Sequence, residues 1–268
     1  MSAHNRRLCW ADGELLPLDM PVVRADDSAF AEGRGCYTSV RIQAGRPRFA
    51  VRHARRLAHG AAELGLGHLE VADVERALAE LAKAAFDAGD GIVRLEASRD
   101  GDGRLHLVGV PRALGPARSE WSAVLAPFRH AGPGPRAGIK VTSRLRLALA
   151  TESAREAGAD EALLLDTSGW LVEGSRSAIF VVSPSGEART PPLARGAVAS
   201  VARAIVLERV PGVAERDIER AELTAAAEIV AVNAVRGALP ITRLDGRPVG
   251  DGKPGPWARR LTAALADD

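Results

Sequence analysis

The sequence predicts a mixed α/β fold in which strands and helices follow one another irregularly. Short stretches of alternating apolar and polar residues predict strands, and longer stretches with apolar residues at every third or fourth position predict helices. The strands are not each followed by a helix, which argues against a doubly wound parallel sheet. With 268 residues, of which 46 % are hydrophobic, the chain is long enough for two compact domains.

Residues 1–111 are expected to form an N-terminal α/β domain. Strands and turns over residues 8–51 are indicated by the alternation over 36–42 and by the turn sequence Ala44-Gly45-Arg46-Pro47. The elements expected after them are helices over 53–64 and 71–88, strands over 92–98 and 105–110, and an Asp-Gly turn at 100–103.

Residues 112–118, rich in Pro, Gly and Arg, are expected to be a linker, and residues 119–268 a C-terminal domain. Its first strand is expected near 123–128, before a Gly- and Pro-rich loop that runs to 138. The later elements expected are helices over 144–156 and 198–208 and from 257 onward, and strands over 161–166, 170–173, 178–182 and 228–232.

Composition and charge narrow the classes of function. Cys9 and Cys36 are the two cysteines, too few for a disulfide framework and not in a C-x-x-C pair. The 36 basic and 34 acidic residues are spread along the chain, so nucleic acid is not an expected partner. No apolar run is long enough to cross a bilayer, and charges interrupt residues 1–17 where a signal peptide needs an apolar core. We therefore expect a cytoplasmic protein that does not bind membranes.

Several common catalytic motifs are missing from the sequence. It contains no P-loop, no G-x-G-x-x-G, no H-E-x-x-H and no G-x-S-x-G. The six histidines are not spaced with acidic residues as metal ligands are, so no metal site is predicted.

Lysine is rare, and one lysine stands in an unusual context. Lys83 and Lys253 fall on an amphipathic helix and in a loop, whereas Lys140 closes the apolar stretch Ala137-Gly138-Ile139. A lysine in partly apolar surroundings has a lowered pKa and can form a Schiff base with an aldehyde cofactor. The alternative is an ordinary surface lysine.

Glu173 and two helix starts complete a candidate constellation. Glu173 ends a predicted strand, and a carboxylate there can keep the pyridine nitrogen of pyridoxal 5'-phosphate (PLP) protonated; the alternative is an edge-strand glutamate. Arg56 lies in the first turn of one predicted helix, and small residues occupy 196–200 at the start of another, where N–H groups favour phosphate.

These features, in this order, resemble the fold-type IV PLP enzymes. This class contains branched-chain and D-amino acid aminotransferases and 4-amino-4-deoxychorismate lyase. The resemblance runs from about Asp27 to Trp257. The segments that carry it are Asp27-Ser28-Ala29-Phe30 through Gly33-Arg34-Gly35, His53-Ala54-Arg55-Arg56-Leu57, Lys140, Gly158-Ala159-Asp160-Glu161-Ala162, Glu173-Gly174-Ser175, and Thr190-Pro191-Pro192-Leu193 with Gly196.

The resemblance implies a homodimer of two-domain subunits with PLP between the domains, as in D-amino acid aminotransferase. It implies that Lys140 is the Schiff-base lysine, that Glu173 holds the pyridine nitrogen and that Arg56 binds the phosphate. The remaining cofactor contacts that it implies are the backbone N–H groups of Ser200, Val201 and Ala202, together with Ala234.

Three segments look more like the lyases than the aminotransferases. They are Cys36-Tyr37-Thr38-Ser39, Ser143-Arg144-Leu145 and Val232-Asn233-Ala234-Val235. The resemblance implies a lyase of folate synthesis that converts 4-amino-4-deoxychorismate to 4-aminobenzoate and pyruvate. In that reaction Thr38 would help to transfer a proton, and Arg144 would contact the substrate.

Two alternatives remain open. Tyr37, Arg104 and His106 fall where D-amino acid aminotransferase traps a carboxylate, so an aminotransferase for D-amino or branched-chain amino acids is the second candidate. Arg104 would serve equally to bind a carboxylate of aminodeoxychorismate. The other alternative is a non-catalytic protein that retains the fold. Departures from the family pattern stand at Arg34, Ser143, Ala178 and Ser200.

Overall fold

The computed structural model describes residues 7–266, so residues 1–6 and 267–268 of the two predicted domains lie outside the described range. The chain forms two compact units. The first runs to Pro116 and includes Ile139–Ser143; the second comprises Ala117–Gly138 and the chain from Arg144 onward. The predicted division after residue 118 therefore differs from the structure in the segment Ile139–Ser143, which carries Lys140. That segment belongs to the first unit because its backbone pairs with the strand that begins at Cys36.

The first unit is built on an antiparallel sheet of six strands. They are β1 (Leu8–Ala11), β2 (Glu14–Pro17), β3 (Cys36–Gln43), β4 (Arg46–Pro47), β5 (Gly91–Arg99) and β6 (Leu105–Arg112). Their order across the sheet is β2-β1-β6-β5-β3-β4. One face is apolar because alternate residues of β3 and β5, such as Val40, Val93 and Leu95, are fully buried.

Two long helices cover that apolar face. Helices α2 (Ala50–Glu63) and α3 (Val71–Phe86) follow the short α1 (Ser28–Glu32). Leu57 of α2 and Leu78 of α3 belong to the same core as the apolar strand residues, as the helical periodicity predicts. Helix α2 begins at Ala50, three residues before the predicted start at 53.

The second unit contains a mixed sheet of nine strands. They are β7 (Trp121–Leu125), β8 (Glu161–Leu165), β9 (Leu171–Gly174), β10 (Ala178–Val182), β11 (Ala188–Thr190), β12 (Val213–Glu215), β13 (Glu228–Asn233), β14 (Gly237–Leu244) and β15 (Arg247–Pro248). The order is β12-β11-β10-β13-β14-β7-β8-β9, with β15 paired to β14. The pairs β7–β8, β7–β14 and β11–β12 are parallel and the others antiparallel.

The helices of the second unit pack on this sheet. They are α4 (Leu145–Glu156), α5 (Val201–Arg209), α6 (Arg220–Thr224) and α7 (Pro256–Ala264). Strands β8 and β10 are buried at every position, which explains why 162–165 and 178–182 are continuous apolar runs rather than alternating ones. Within residues 7–266, no helix combines the length and the apolar character needed to span a bilayer.

The mixed α/β prediction is confirmed, with differences at particular elements. The strand expected near 123–128 is Trp121–Leu125, and the helix expected over 198–208 begins at Val201. The latter starts late because the Ser200 side chain accepts a hydrogen bond from the Arg203 N–H and caps the helix. Strands β11 and β12 were not predicted, since three-residue strands carry little periodicity. Strand β14 was also not predicted; it has eight residues and lies between β13 and β7, but Pro240 in its middle argues against a central strand.

Candidate active site

Lys140 is held against the first strand after α1. The Tyr37 N–H donates to the Lys140 carbonyl at 2.9 Å, and Cys36 forms a β-bridge with Val141. The Lys140 Nζ lies 4.8 Å from the centroid of the Tyr37 ring. Lys140 is therefore fixed at both its backbone and its amine to the start of β3.

The close approach of this segment depends on Gly35. The Thr142 N–H donates to the Gly35 carbonyl at 2.9 Å. A Cβ at Gly35 would lie 2.8 Å from the Cβ of Ala29 and 3.0 Å from Thr142 Oγ1. A glycine is needed because any side chain would push the lysine-bearing segment away from β3.

Thr38, His53 and Arg56 form a buried polar cluster between β3 and α2. Thr38 Oγ1 lies 2.7 Å from His53 Nδ1 and accepts a hydrogen bond of 2.7 Å from Arg56. Thr38 is 0 % and His53 1 % exposed. The cluster forms because Thr38 points towards the helices and because His53 and Arg56, three residues apart, share one face of α2.

The hydrogen bonds determine which nitrogen of His53 carries the proton. If the Thr38 hydroxyl donates to Nδ1, only the Nε2–H of His53 lacks a partner within residues 7–266. The opposite tautomer would leave both Nε2 and the hydroxyl proton unsatisfied, which costs more. We therefore assign the proton to Nε2. Arg56 Nε is a second buried N–H without a partner in the same range.

Burial controls the charges of this cluster. Desolvation lowers the pKa of His53 well below 6.5, and the charges of Arg56 and Lys140 lower it further. Desolvation also lowers the pKa of Arg56 to about 10, so the guanidinium is still charged at neutral pH. The cluster thus offers one cation and two unpartnered N–H donors, which is the donor set of an anion site.

The opposite face of the same sheet carries a different set of charged residues. The guanidinium of Arg94 lies 3.8 Å from the centroid of the Tyr37 ring and donates to Glu96. Arg104 is exposed at the turn between β5 and β6, where its backbone N–H donates to Asp100. Arg94, which was not predicted as a site residue, thus stacks on the ring of Tyr37.

His106, which is predicted to bind substrate together with Arg104, contacts two carboxylates of the first unit. Its Nε2 lies 2.9 Å from Asp12 and its Nδ1 3.8 Å from the buried Asp27. The hydrogen bond to Asp12 is the main cause of a raised pKa, and burial works against it. These contacts give His106 a role in joining β6 to the turn after β1.

In the second unit, Glu173 is a buried carboxylate at the end of β9. Its Oε2 accepts a hydrogen bond of 3.1 Å from the Val198 N–H, and its Oε1 lies 3.9 Å from His130 Nε2. The Gly132 N–H donates to His130 Nδ1 at 3.0 Å, so the proton of a neutral His130 is on Nε2, the nitrogen near the carboxylate. Burial lowers the pKa of His130, which keeps this neighbour uncharged at neutral pH.

A second buried carboxylate shapes the turn that follows Glu173. Glu161 accepts hydrogen bonds from the hydroxyls of Ser175 at 2.5 Å and Ser177 at 2.6 Å. Glu161 is 0 % exposed. This network holds the Gly174–Ser177 turn and so fixes the strand end at which Glu173 stands.

The start of α5 presents further N–H groups. Ser200 caps the helix, which leaves the N–H groups of Val201 and Ala202 in the first turn outside the helical ladder. Such groups, at the positive end of the helix dipole, favour an anion. The Ala199 N–H, by contrast, donates to the Gly138 carbonyl at 2.8 Å.

Two further predicted site residues lie at element boundaries of the second unit. Ala234 is in the turn between β13 and β14, where Asn233 Oδ1 accepts from the N–H groups of Val235 and Arg236. Arg144 is partly buried and directly precedes α4.

Sequence reasoning missed His53, Arg94 and His130. The spacing of His53 and Arg56 on one helix face could have indicated the first. No sequence signal identifies Arg94 or His130, because their contacts with Tyr37 and Glu173 join segments far apart in the chain.

A buried anion site beside a lysine amine, and a buried carboxylate at a strand end, are the elements with which proteins hold a phosphorylated pyridine cofactor. The chain belongs to the amino-transferase class IV family, whose sequence model matches residues 35–244. Enzymes of this family depend on PLP, so the chain is an enzyme of a PLP-dependent family.

The relatives of the chain include aminotransferases and a protein with both lyase and aminotransferase activity. The chain is 26 % identical to D-alanine aminotransferase of Bacillus licheniformis over 95 % of its own length and 94 % of that protein's. A bifunctional aminodeoxychorismate lyase / D-amino acid transaminase of Mycobacterium tuberculosis is 28 % identical over 64 % of this chain and 65 % of that one. A probable branched-chain-amino-acid aminotransferase of Aquifex aeolicus is 34 % identical, but the match spans only 42 % of this chain and 38 % of that protein.

Solved structures confirm the fold. The 4-amino-4-deoxychorismate lyase of Pseudomonas aeruginosa superimposes with a TM-score of 0.83, at 29 % identity over 97 % of this chain and 99 % of that one. A hypothetical aminotransferase of Mycobacterium tuberculosis in its PLP-bound form gives a TM-score of 0.85, at 22 % identity over 96 % and 97 % of the two chains. The chain therefore has the fold-type IV architecture.

The residues of the first unit fit PLP by their chemistry. A phosphate dianion needs several N–H donors, and Arg56 Nε and His53 Nε2 are buried donors that lack a partner within residues 7–266. The amine of Lys140 lies in the same unit, close enough to affect the pKa of His53.

Proposed function

We propose that this enzyme is a lyase that converts 4-amino-4-deoxychorismate into 4-aminobenzoate and pyruvate. The proposal is supported by the similarity to the Pseudomonas aeruginosa lyase over nearly the full length of both chains. The three segments around Thr38, Arg144 and Ala234, which look like those of the lyases, support it further.

The observation that carries the choice of a lyase is the buried Thr38 hydroxyl. Elimination of the enolpyruvyl group must end with a proton on the departing carbon, and a hydroxyl can relay that proton. Arg56 donates to Thr38 Oγ1, and the hydroxyl proton is directed to His53, which burial keeps neutral. Thr38 thus keeps its hydroxyl proton, and the neutral imidazole of His53 accepts the hydrogen bond.

Residues of the chain would hold PLP in three ways. The Lys140 amine would anchor it, Arg56 and the first N–H groups of α5 would bind its phosphate, and Glu173 would keep its ring nitrogen protonated. Bound PLP supplies an electron sink for the negative charge that develops on the substrate carbon next to the amine.

The chain's own residues would then move the protons. The Lys140 Nζ removes the proton from the amine-bearing carbon, and its position over the Tyr37 ring restricts where it can reach. Loss of the enolpyruvyl group makes the substrate ring aromatic, which drives the reaction forward. The proton taken up by Lys140 then passes through the Thr38 hydroxyl to the methylene carbon of the departing enolpyruvyl group, which leaves as pyruvate, so that Lys140 and Thr38 both regain their starting protonation states.

The test of the lyase proposal is a direct product assay. PLP-loaded protein is incubated with freshly generated aminodeoxychorismate, and 4-aminobenzoate and pyruvate are quantified against a control without enzyme. We expect equal yields of both products, well above the control. No product from a PLP-containing protein would contradict the proposal.

An aminotransferase for D-amino acids is the second candidate. The full-length similarity to D-alanine aminotransferase favours it. Formation of D-glutamate and pyruvate from D-alanine and 2-oxoglutarate, without release of 4-aminobenzoate in the assay above, would establish it in place of the lyase.

A further inference from the structure

Arg94 lies on the sheet face opposite the helices. It stands in the middle of β5, where it pairs with Ser39, and the next residue on its face, Glu96, pairs with Tyr37. Because residues directly opposite in an antiparallel pair point to the same side, Arg94, Glu96 and Tyr37 share one face. The other face bears the core residues Val93 and Leu95.

Arg94 and Lys140 meet at the same aromatic ring. The guanidinium carbon of Arg94 lies 3.8 Å, and Lys140 Nζ 4.8 Å, from the centroid of the Tyr37 ring. The side chain of Arg94 is only 10 % exposed. A nearly buried cation with a fixed orientation thus stands beside the amine assigned to catalysis.

Within residues 7–266, the Arg94 guanidinium makes a hydrogen bond through its Nε only. Its Nε donates to Glu96, which is the one hydrogen-bond partner of the guanidinium within residues 7–266. The two terminal nitrogens form the edge of the guanidinium that binds carboxylates in a bidentate manner. Glu96 is 36 % exposed and offsets part of the positive charge.

The other candidates for carboxylate binding are less well placed in the first unit. Arg104 is exposed at the β5–β6 turn, and His106 is paired with Asp12. Neither has a contact with Tyr37 within residues 7–266, whereas Arg94 stacks on its ring.

We propose that Arg94 binds a carboxylate of the substrate and so determines that the enzyme accepts carboxylate-bearing amines. The terminal N–H groups of Arg94 take the carboxylate, while the reacting part of the substrate lies near Lys140 at the same ring. Glu96 moderates this affinity, because its carboxylate competes for the guanidinium. The inference rests on the proposed function for the choice of ligand, 4-aminobenzoate.

The test compares an acid with its neutral amide. Dissociation constants of 4-aminobenzoate and 4-aminobenzamide are measured on PLP-loaded wild type, Arg94→Gln and, as the control, Arg76→Gln at an exposed position of α3. We expect wild type to prefer the acid by about 10- to 100-fold, the range for a charge-assisted pair. Arg94→Gln should reduce this preference to about onefold with the PLP content unchanged, and Arg76→Gln should retain it.

Two further variants guard against a folding defect. Arg94→Lys keeps the positive charge but not the bidentate geometry of the guanidinium, so it should retain part of the preference for the acid. Glu96→Gln removes the competing carboxylate and should increase that preference. The proposal is overturned if wild type shows no preference, or if Arg94→Gln keeps it. Failure of the lyase proposal is a separate result, because it is seen in the product assay. In that case the wild-type protein forms no 4-aminobenzoate from aminodeoxychorismate.

Discussion

The buried histidine of the first unit shows how burial and hydrogen bonding together select a protonation state. His53 accepts from Thr38 at Nδ1 and is surrounded by the charges of Arg56 and Lys140. Its neutral form is favoured because burial penalises the imidazolium. A histidine that stays neutral can accept the Thr38 hydrogen bond at Nδ1 and present its Nε2–H to an anion.

This environment makes the stability of the protein depend on pH. The unfolded chain binds a proton at His53 near its ordinary pKa of 6.5, while the folded chain does so only at much lower pH. The free energy of unfolding should therefore fall as pH falls below 6.5, by up to about 1.4 kcal/mol per pH unit from this residue. Above 6.5 the residue has no such effect, because it is neutral in both states.

The measurement is urea unfolding of PLP-free protein between pH 7.5 and 5. We expect His53→Leu to show a shallower loss of stability below pH 6.5 than wild type. His68→Leu, at an exposed position, should keep the wild-type slope. An equal slope in wild type and His53→Leu would contradict the assignment of a neutral His53.

Lys140→Ala tests the amine assigned to catalysis. We expect turnover to fall by roughly 10²- to 10⁴-fold, the usual contribution of a positioned general base, with a wild-type circular dichroism spectrum. Lys83→Ala, on the exposed side of α3, should leave turnover unchanged. Full activity of Lys140→Ala under saturating PLP would rule out the proposed role.

Glu173→Gln tests the carboxylate at the end of β9. The amide oxygen can still accept from the Val198 N–H, so the fold should persist, but the negative charge is lost. We predict a fall in kcat of about 10²-fold or more, measured in the lyase assay alongside Glu63→Gln as an exposed control. Unchanged kinetics would remove Glu173 from the proposed mechanism.

At the level of elements, the turn between β3 and β4 depends on a single glycine. Gly45 has a φ of +74°, and a Cβ there would lie 1.9 Å from the Asp87 carbonyl oxygen. The turn can therefore neither accept a side chain nor shift without moving the end of α3. The Gly45 N–H also donates to the Gly89 carbonyl at 2.8 Å.

Gly45→Ala should lower the free energy of unfolding by about 3 kcal/mol or more, because the clash adds to the cost of a positive φ. Gly65→Ala is the matched control, with a φ of +64° and nothing within 4 Å of its Cβ. It should cost only about 1 kcal/mol. Urea unfolding measures both, and equal losses would mean that the Asp87 carbonyl can move aside.

Two exposed apolar side chains are relevant to the oligomeric state of the protein. Phe30 is 74 % and Leu145 71 % exposed in the single chain. We propose that the protein is a homodimer, as its resemblance to fold-type IV enzymes implies, and that such side chains are covered in it. Sedimentation equilibrium should give twice the mass of one chain, and a single-chain mass at micromolar concentration would contradict this.

Much of the architecture was predictable because it rests on local patterns. The helices from Ala50 and Val71 and the strands β5 and β6 lie within a few residues of their predicted positions, since each carries its own periodicity. The small strands β11 and β12 were missed because each has three residues and depends on a neighbour for its pairing. The unit to which Lys140 belongs was also unpredictable, because a β-bridge to Cys36 decides it.

By itself the sequence determined the mixed α/β class and singled out Lys140 by its apolar context, while Glu173 and Arg56 stood out only in combination with it. Only the tertiary structure decided that Arg94 stacks on Tyr37 and that His53 faces Thr38. The physical reason is that periodicity reports the side of an element on which a residue lies, whereas strand pairing and helix packing decide which residues meet there.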